Sequence, residues 1–231
     1  FNDVSLVIDH HPWHPDSAKA RHADVRPDVG STSTILTEYL RAAGINLPVS
    51  IATALFYGIK SDTMGLGRSA TKADVEAYAF LVPLIDSQAL FEIERAQVPA
   101  DYFKSLVNTL QATRIYRDVL IAYLGWMKYP DLAAEIADLL LRLKGIQWVV
   151  CHGAHKDHLY AAKRSRHQRR GAGSQARAII NELGTAGGHG SMAGGQVPLN
   201  GRDPDALAAQ IDAAVLAYFG IDPEETRRSL L

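Results

Sequence analysis

The stretch Val4-Ser5-Leu6-Val7-Ile8-Asp9-His10-His11-Pro12 decides the fold. Its apolar, β-branched start has the texture of a buried strand in a parallel sheet. Asp9, His10, His11 and Pro12 are poorly suited to continuing it, so the strand ends there. Open α/β sheets bind ligands beyond the carboxyl ends of their strands, which puts this acid–His–His cluster where a site is expected. Carboxylate plus imidazole is a natural donor set for a divalent transition metal such as manganese, and a spare imidazole can serve as an acid or hydrogen-bond donor. Taken alone, the tripeptide reads equally well as a strand-end turn with surface histidines.

Downstream, Gly30 to Leu40 reads as a helix with Ser31 or Thr32 as its cap. A second helix follows Pro48, with Ile51, Leu55 and Ile59 at i, i+4 spacing, and stops at Ser61-Asp62-Thr63. Asp62 there faces the negative end of the helix dipole, a conflict that a bound cation would relieve and that an Asp capping the next turn would explain without one. Thr71 is an N-cap with Asp74 at the capping-box position. Asp101 to Thr113 reads as a connecting helix with Phe103, Leu106, Val107 and Leu110 on one stripe. Beyond it, Tyr116–Leu124 is rich in β-formers and Leu132–Leu143 is helical. Trp148–Cys151 and Leu159–Ala162 read as strands, and Gly173–Leu183 as a helix. A glycine-rich loop spans Gly184–Gly195, and Asp203, Pro204 and the Leu207, Ile211, Val215, Phe219 stripe mark a closing helix that ends at Gly220. The division is residues 1–95, a connecting helix over 96–114, and 115–231, with an α/β domain on each side.

The segment from His152 to Arg170 holds six Lys and Arg (156, 163, 164, 166, 169 and 170), four His and one opposing acid, Asp157. That density is an electrostatic footprint for phosphate. Lys163 and Arg164 end a strand and are better placed for a site than Arg169 and Arg170, which read as a solvated loop beside Gly171. His152, His155 and His158 do not share one helical face, because Gly153 and strand-like flanks intervene. Cys151 reads as a small core residue. Gly187-Gly188-His189 offers backbone N–H groups and an imidazole to an anion, although such a loop can simply be flexible.

Composition bounds the rest. The chain has 231 residues, 47% of them hydrophobic, and 24 basic side chains against 25 acidic ones. A net charge of -1 excludes a globally basic nucleic-acid binder. No apolar run approaches the length of a membrane span. A single cysteine and the lack of a leader favour a reducing, cytoplasmic compartment. The sequence opens on Phe1 and enters a strand almost at once, which reads as a chain whose natural N-terminus lies further upstream.

In order and spacing, these pieces resemble the DHH phosphoesterase family, specifically RecJ-like members with a C-terminal DHH-associated domain. The carriers are Val7-Ile8-Asp9-His10-His11, Gly30-Ser31-Thr32-Ser33, Gly58-Ile59-Lys60-Ser61-Asp62-Thr63, Lys163-Arg164-Ser165-Arg166, Gly187-Gly188-His189 and Ala193-Gly194-Gly195. The resemblance implies two α/β domains facing a cleft: a parallel-sheet DHH domain, N-terminally incomplete here, and a smaller mixed-sheet DHH-associated domain. It implies His10 and Asp62 as metal ligands, Asp9 supporting His10, and His11 facing the scissile phosphate. Arg164, Arg166, Lys163, Gly188 and His189 would bind substrate phosphate. The implied chemistry is two-metal hydrolysis with two manganese(II) ions in the complete protein, magnesium or cobalt being substitutes. Substrates would be short oligonucleotides or 3'-phosphoadenosine 5'-phosphate. Cyclic dinucleotides, polyphosphate and a non-catalytic nucleotide-binding role are the alternatives. No membrane partner is implied, and a homodimer is allowed. The family's His-x-x-x-Asp-x-Asp segment and a further bridging Asp do not occur here, and Ala162 replaces a hydroxyl residue near the phosphate-binding Arg. With two side-chain ligands left, this stretch alone is expected to load metal weakly and to be hydrolytically inactive.

Overall fold

The computed structural model describes residues 4–167, 171–225 and 228–230. Arg169 and Arg170 lie outside the described residues. The chain divides into two compact units, Phe1–Gln97 and Val98–Leu231. Among the described residues, no helix is long and apolar enough to cross a membrane.

In the first unit, β1 (Leu6–Asp9) pairs in parallel with β2 (His22–Val25), a strand that sequence texture did not mark. His22-Ala23-Asp24-Val25 lacks a β-branched run, and its pairing is tertiary. Leu6 is exposed while Val7 and Ile8 are half-buried, so β1 is less buried than its composition suggests. Among the described residues its sheet has two strands. Helix α1 (Thr32–Ala42) starts at Ser31, whose Oγ accepts from the Ser33 N–H. Arg26, just past β2, anchors α1 by pairing with Asp24 at 2.7 Å and Glu38 at 2.6 Å. Helix α2 (Val49–Asp62) begins after Pro48, and α3 (Lys72–Leu81) carries the Thr71–Asp74 capping box. Asp86 caps α4 (Ser87–Glu94). Ala52, Phe56, Ile59, Ala77, Leu81 and Leu90 form this unit's core.

The second unit is the larger in this chain. It begins with α5 (Ala100–Ala112), followed by β3 (Arg114–Tyr116), β4 (Val119–Trp126), α6 (Leu132–Leu140), β5 (Trp148–His155) and β6 (His158–Ser165). Next come α7 (Ala172–Ile180), β7 (Thr185–His189), β8 (Met192–Pro198), α8 (Pro204–Phe219) and β9 (Arg228–Ser229). The mixed sheet has the order β7-β8-β6-β5-β4-β3-β9, with β4 and β5 parallel across the α6 crossover. One sheet face packs α7 and α8 over Val119, Ile121, Val150 and Leu159, and the other packs α6 over Leu120, Val149 and Cys151.

Two sequence expectations need correction here. The Gly184–Gly195 segment is an antiparallel hairpin rather than a loop. Two of its glycines answer a packing demand: a Cβ on Gly184 would sit 2.1 Å from the Gln196 carbonyl oxygen, and one on Gly188 2.3 Å from the Met192 carbonyl oxygen. The stripe assigned to α5 is also rotated. Phe103 and Val107 are exposed, while Tyr102, Leu106 and Leu110 pack against the sheet.

Candidate functional site

At the carboxyl end of β1 the chain turns, and His10 is buried directly after the strand. Its Nε2 stands 3.9 Å from Asp62 Oδ2, at the last turn of α2. The Asp62 carboxylate is 43% exposed. Ser31 Oγ donates to the same Oδ2 at 2.9 Å. A carboxylate at the C-terminus of α2 thus meets the N-terminal cap of α1, where donors and the positive dipole end offset the repulsion expected at its own helix. The order of the sequence marked Ser31 as a cap, but nothing local could show that its proton goes to Asp62.

Asp9 takes a hydrogen bond from the His10 backbone N–H and also turns to His11. Its Oδ1 takes the His11 N–H at 3.0 Å and pairs with His11 Nδ1 at 2.8 Å. Partial burial works to raise the Asp9 carboxyl, but the hydrogen bonds from His11 outweigh it and hold the group below the usual carboxylate value. The rings of His10 and His11 meet edge to face at 4.4 Å. Among the described residues no group of three or more His, Cys, Asp or Glu side chains could hold a metal ion. His10 and Asp62 do fit as two donors of one divalent ion. Metal–donor distances of about 2.1 Å place two such donors at most about 4.2 Å apart.

In the second unit, Lys163 and Arg164 leave β6 on opposite faces, as the two-residue period of a strand requires. The Lys163 ammonium lies 4.3 Å from the centre of the Trp148 ring and donates to Gln175 Oε1 of α7. Burial pushes it down to about 8. Arg164 is buried on the α6 face, where Nε donates to Asp138 Oδ1 at 2.8 Å and Nη1 to the Lys163 carbonyl at 3.2 Å. Arg166 is spent on the Ile146 and Leu141 carbonyls at 3.1 and 2.9 Å. The three basic residues therefore do not converge. Asp138 went unmarked because a polar residue on an amphipathic helix carries no partner signal. Gly188 lies in β7, at the sheet edge, with φ at +150°. His189 closes the same strand.

The three histidines of the basic segment go to separate destinations. His152 is fully buried, with Nε2 2.7 Å from Asp212 Oδ1, while no hydrogen-bond partner is found for its Nδ1 among the described residues. His155 Nδ1 is 3.0 Å from the Met127 carbonyl, and the His158 ring lies 6.0 Å from that of Tyr160. Cys151 is buried in the α6-side core, which raises its thiol above the ordinary range.

No protein-family profile matches the chain. An uncharacterized protein of Methanocaldococcus jannaschii is 32% identical over 232 residues, covering 96% of this chain and 47% of the relative. The A-adding tRNA nucleotidyltransferase of Geobacter sulfurreducens is 26% identical over 199 residues, covering 83% of this chain and 22% of that enzyme. The chain thus spans about half the length of the archaeal relative. Among solved structures, an exopolyphosphatase-related protein from Bacteroides fragilis superposes with a TM-score of 0.73 at 16% identity, covering 92% of this chain and 63% of that one. That likeness shows the fold.

Proposed function

We propose that this chain, which has the α/β fold of DHH phosphoesterases, serves a cytoplasmic, manganese-dependent phosphoesterase that hydrolyses short oligonucleotides or nucleotide phosphates such as 3'-phosphoadenosine 5'-phosphate. The observation that carries the reading is the approach of His10 Nε2 and Asp62 Oδ2 to 3.9 Å at the carboxyl end of a parallel strand. These two side chains would hold a divalent ion, the remaining positions being filled by solvent, substrate or groups beyond the described residues. Such an ion supplies Lewis acidity and charge neutralisation at a phosphate oxygen.

The chain's own residues supply the rest. Asp9 fixes the His11 ring through Nδ1, which leaves Nε2 as the nitrogen to meet a phosphate oxygen. Ser31 orients the Asp62 carboxylate. In the second unit, Arg164 offers a planar fork held along one edge by Asp138. β7 is an edge strand whose glycines leave its backbone open to an anion.

The test is an assay of the intact gene product with added manganese against dinucleotides, 3'-phosphoadenosine 5'-phosphate, cyclic dinucleotides and polyphosphate. Turnover of a dinucleotide or of 3'-phosphoadenosine 5'-phosphate, lost in His10→Ala and Asp62→Asn, is the expected result. Turnover confined to polyphosphate or cyclic dinucleotides would keep the chemistry and replace the substrate. No turnover of any of them would overturn the enzyme reading in favour of a nucleotide-binding module.

A further inference from the structure

We propose that Asp74 is a positioning residue for Asp62, acting through the turn Gly30-Ser31 at the start of α1. The inference rests on the reading of Asp62 as a metal ligand. Asp74 is fully buried on the first turn of α3, and its two oxygens take four close hydrogen bonds. Two come from the Thr71 N–H and hydroxyl, at 2.8 and 2.7 Å. Those two complete a helix cap and ask nothing of the rest of the unit. The other two leave the helix: the Gly30 N–H donates to Oδ2 at 2.9 Å and Thr34 Oγ1 to Oδ1 at 2.5 Å. Capping α3 requires neither of them.

Gly30 and Thr34 bracket Ser31. The Ser31 oxygen already accepts from the Ser33 N–H at 3.1 Å, so its single proton is committed to Asp62 Oδ2. A second contact registers the same two helix ends. A Cβ on Gly30 would lie 2.8 Å from Asp74 Oδ2, 2.9 Å from Thr63 Cγ2 and 3.0 Å from the Ser69 carbonyl oxygen. Gly30 is therefore seated between Asp74 and Thr63, the residue that follows Asp62. Thr63 is itself fixed, with Oγ1 donating to the Ile59 carbonyl at 2.6 Å and accepting the Leu66 N–H at 3.0 Å. The start of α1 is thus pinned by Asp74 on one side and presents Ser31 to Asp62 on the other. Groups that orient metal ligands from behind typically change metal affinity about 10- to 100-fold when lost.

The experiment measures manganese affinity by calorimetry in the intact gene product and in Asp74→Asn, Ser31→Ala, Thr71→Val and Asp62→Asn. Folding is checked by circular dichroism and thermal melting. Asp74→Asn and Ser31→Ala should each weaken manganese binding about tenfold or more. Thr71→Val, which removes one donor to Asp74 and keeps the Gly30 and Thr34 bonds, should lower the melting temperature and leave the affinity close to wild type. A purely structural Asp74 would make Asp74→Asn and Thr71→Val behave alike. Should Asp74→Asn not fold, Ser31→Ala decides: wild-type affinity in that variant overturns the proposal. If Asp62→Asn itself leaves manganese binding unchanged, the metal reading falls and the positioning role falls with it. Loss in Asp62→Asn with none in Ser31→Ala removes the positioning role only.

Discussion

Lys163 and Arg164 are neighbours in β6, yet their charged ends lie on opposite faces of the second unit's sheet, one over the Trp148 ring and the other beside Asp138. A single substrate phosphate bound on one face therefore cannot engage both. Lys163 is enclosed by Trp148 and Gln175 on the α7 side, and Arg164 is held by Asp138 and the Lys163 carbonyl on the α6 side.

Replacing Arg164 by Ala should weaken substrate binding while leaving bound metal unchanged. It also strands the Asp138 carboxylate, which is 37% exposed, so the stability cost is modest, about 1–2 kcal/mol. Metal content by elemental analysis, set beside KM for a dinucleotide, checks the split. Loss of metal from Arg164→Ala would contradict it.

Lys163 makes a prediction in pH. Its folded value, about 8, is below the ordinary 10.5, so between those two values the unfolded chain holds the extra proton. Stability should therefore rise with pH across that window, and Lys163→Met should remove the slope. At pH 7 the Met variant should be the more stable, by at most about 3 kcal/mol. The Trp148 ring and Gln175 reduce that gain because both favour the charged amine. Urea unfolding of both proteins from pH 6 to 10.5 measures the difference, which should shrink to nothing at the top. A Lys163→Met variant that is less stable at pH 7 than at pH 10, relative to wild type, would show that the ammonium is stabilised where it lies.

Gly173→Ala should destabilise the second unit by about 1–3 kcal/mol, because its Cβ would stand 2.1 Å from the Gly188 carbonyl oxygen. The helix-propensity advantage of Ala, about 1 kcal/mol, does not offset a clash with backbone. A denaturation midpoint at or above that of wild type would mean that α7 can withdraw from β7 at little cost.

Legibility followed range. The caps at Ser31, Thr71 and Asp203 and the apolar stripe of α8 were readable because each depends on residues within a few positions of one another. The approach of His10 to Asp62 was foreseen only through resemblance, since no local pattern joins positions 52 residues apart. Hairpin β7–β8 looked like a loop because glycine says that the backbone must come close to something, without saying to what. β2 was invisible for a related reason: β1, rather than its own composition, makes it a strand. The pairing of Asp9 with His11 Nδ1 was not legible, because alternation along a strand end does not fix which ring turns back toward the carboxylate.

The most direct test of the account is pulsed electron paramagnetic resonance of manganese(II) bound to the intact gene product. The account predicts imidazole nitrogen coupling in the wild type that includes a contribution from His10, reduced in His10→Ala and retained, at weaker loading, in Asp62→Asn. Nitrogen coupling that is unchanged in a folded His10→Ala protein at wild-type manganese affinity would contradict it.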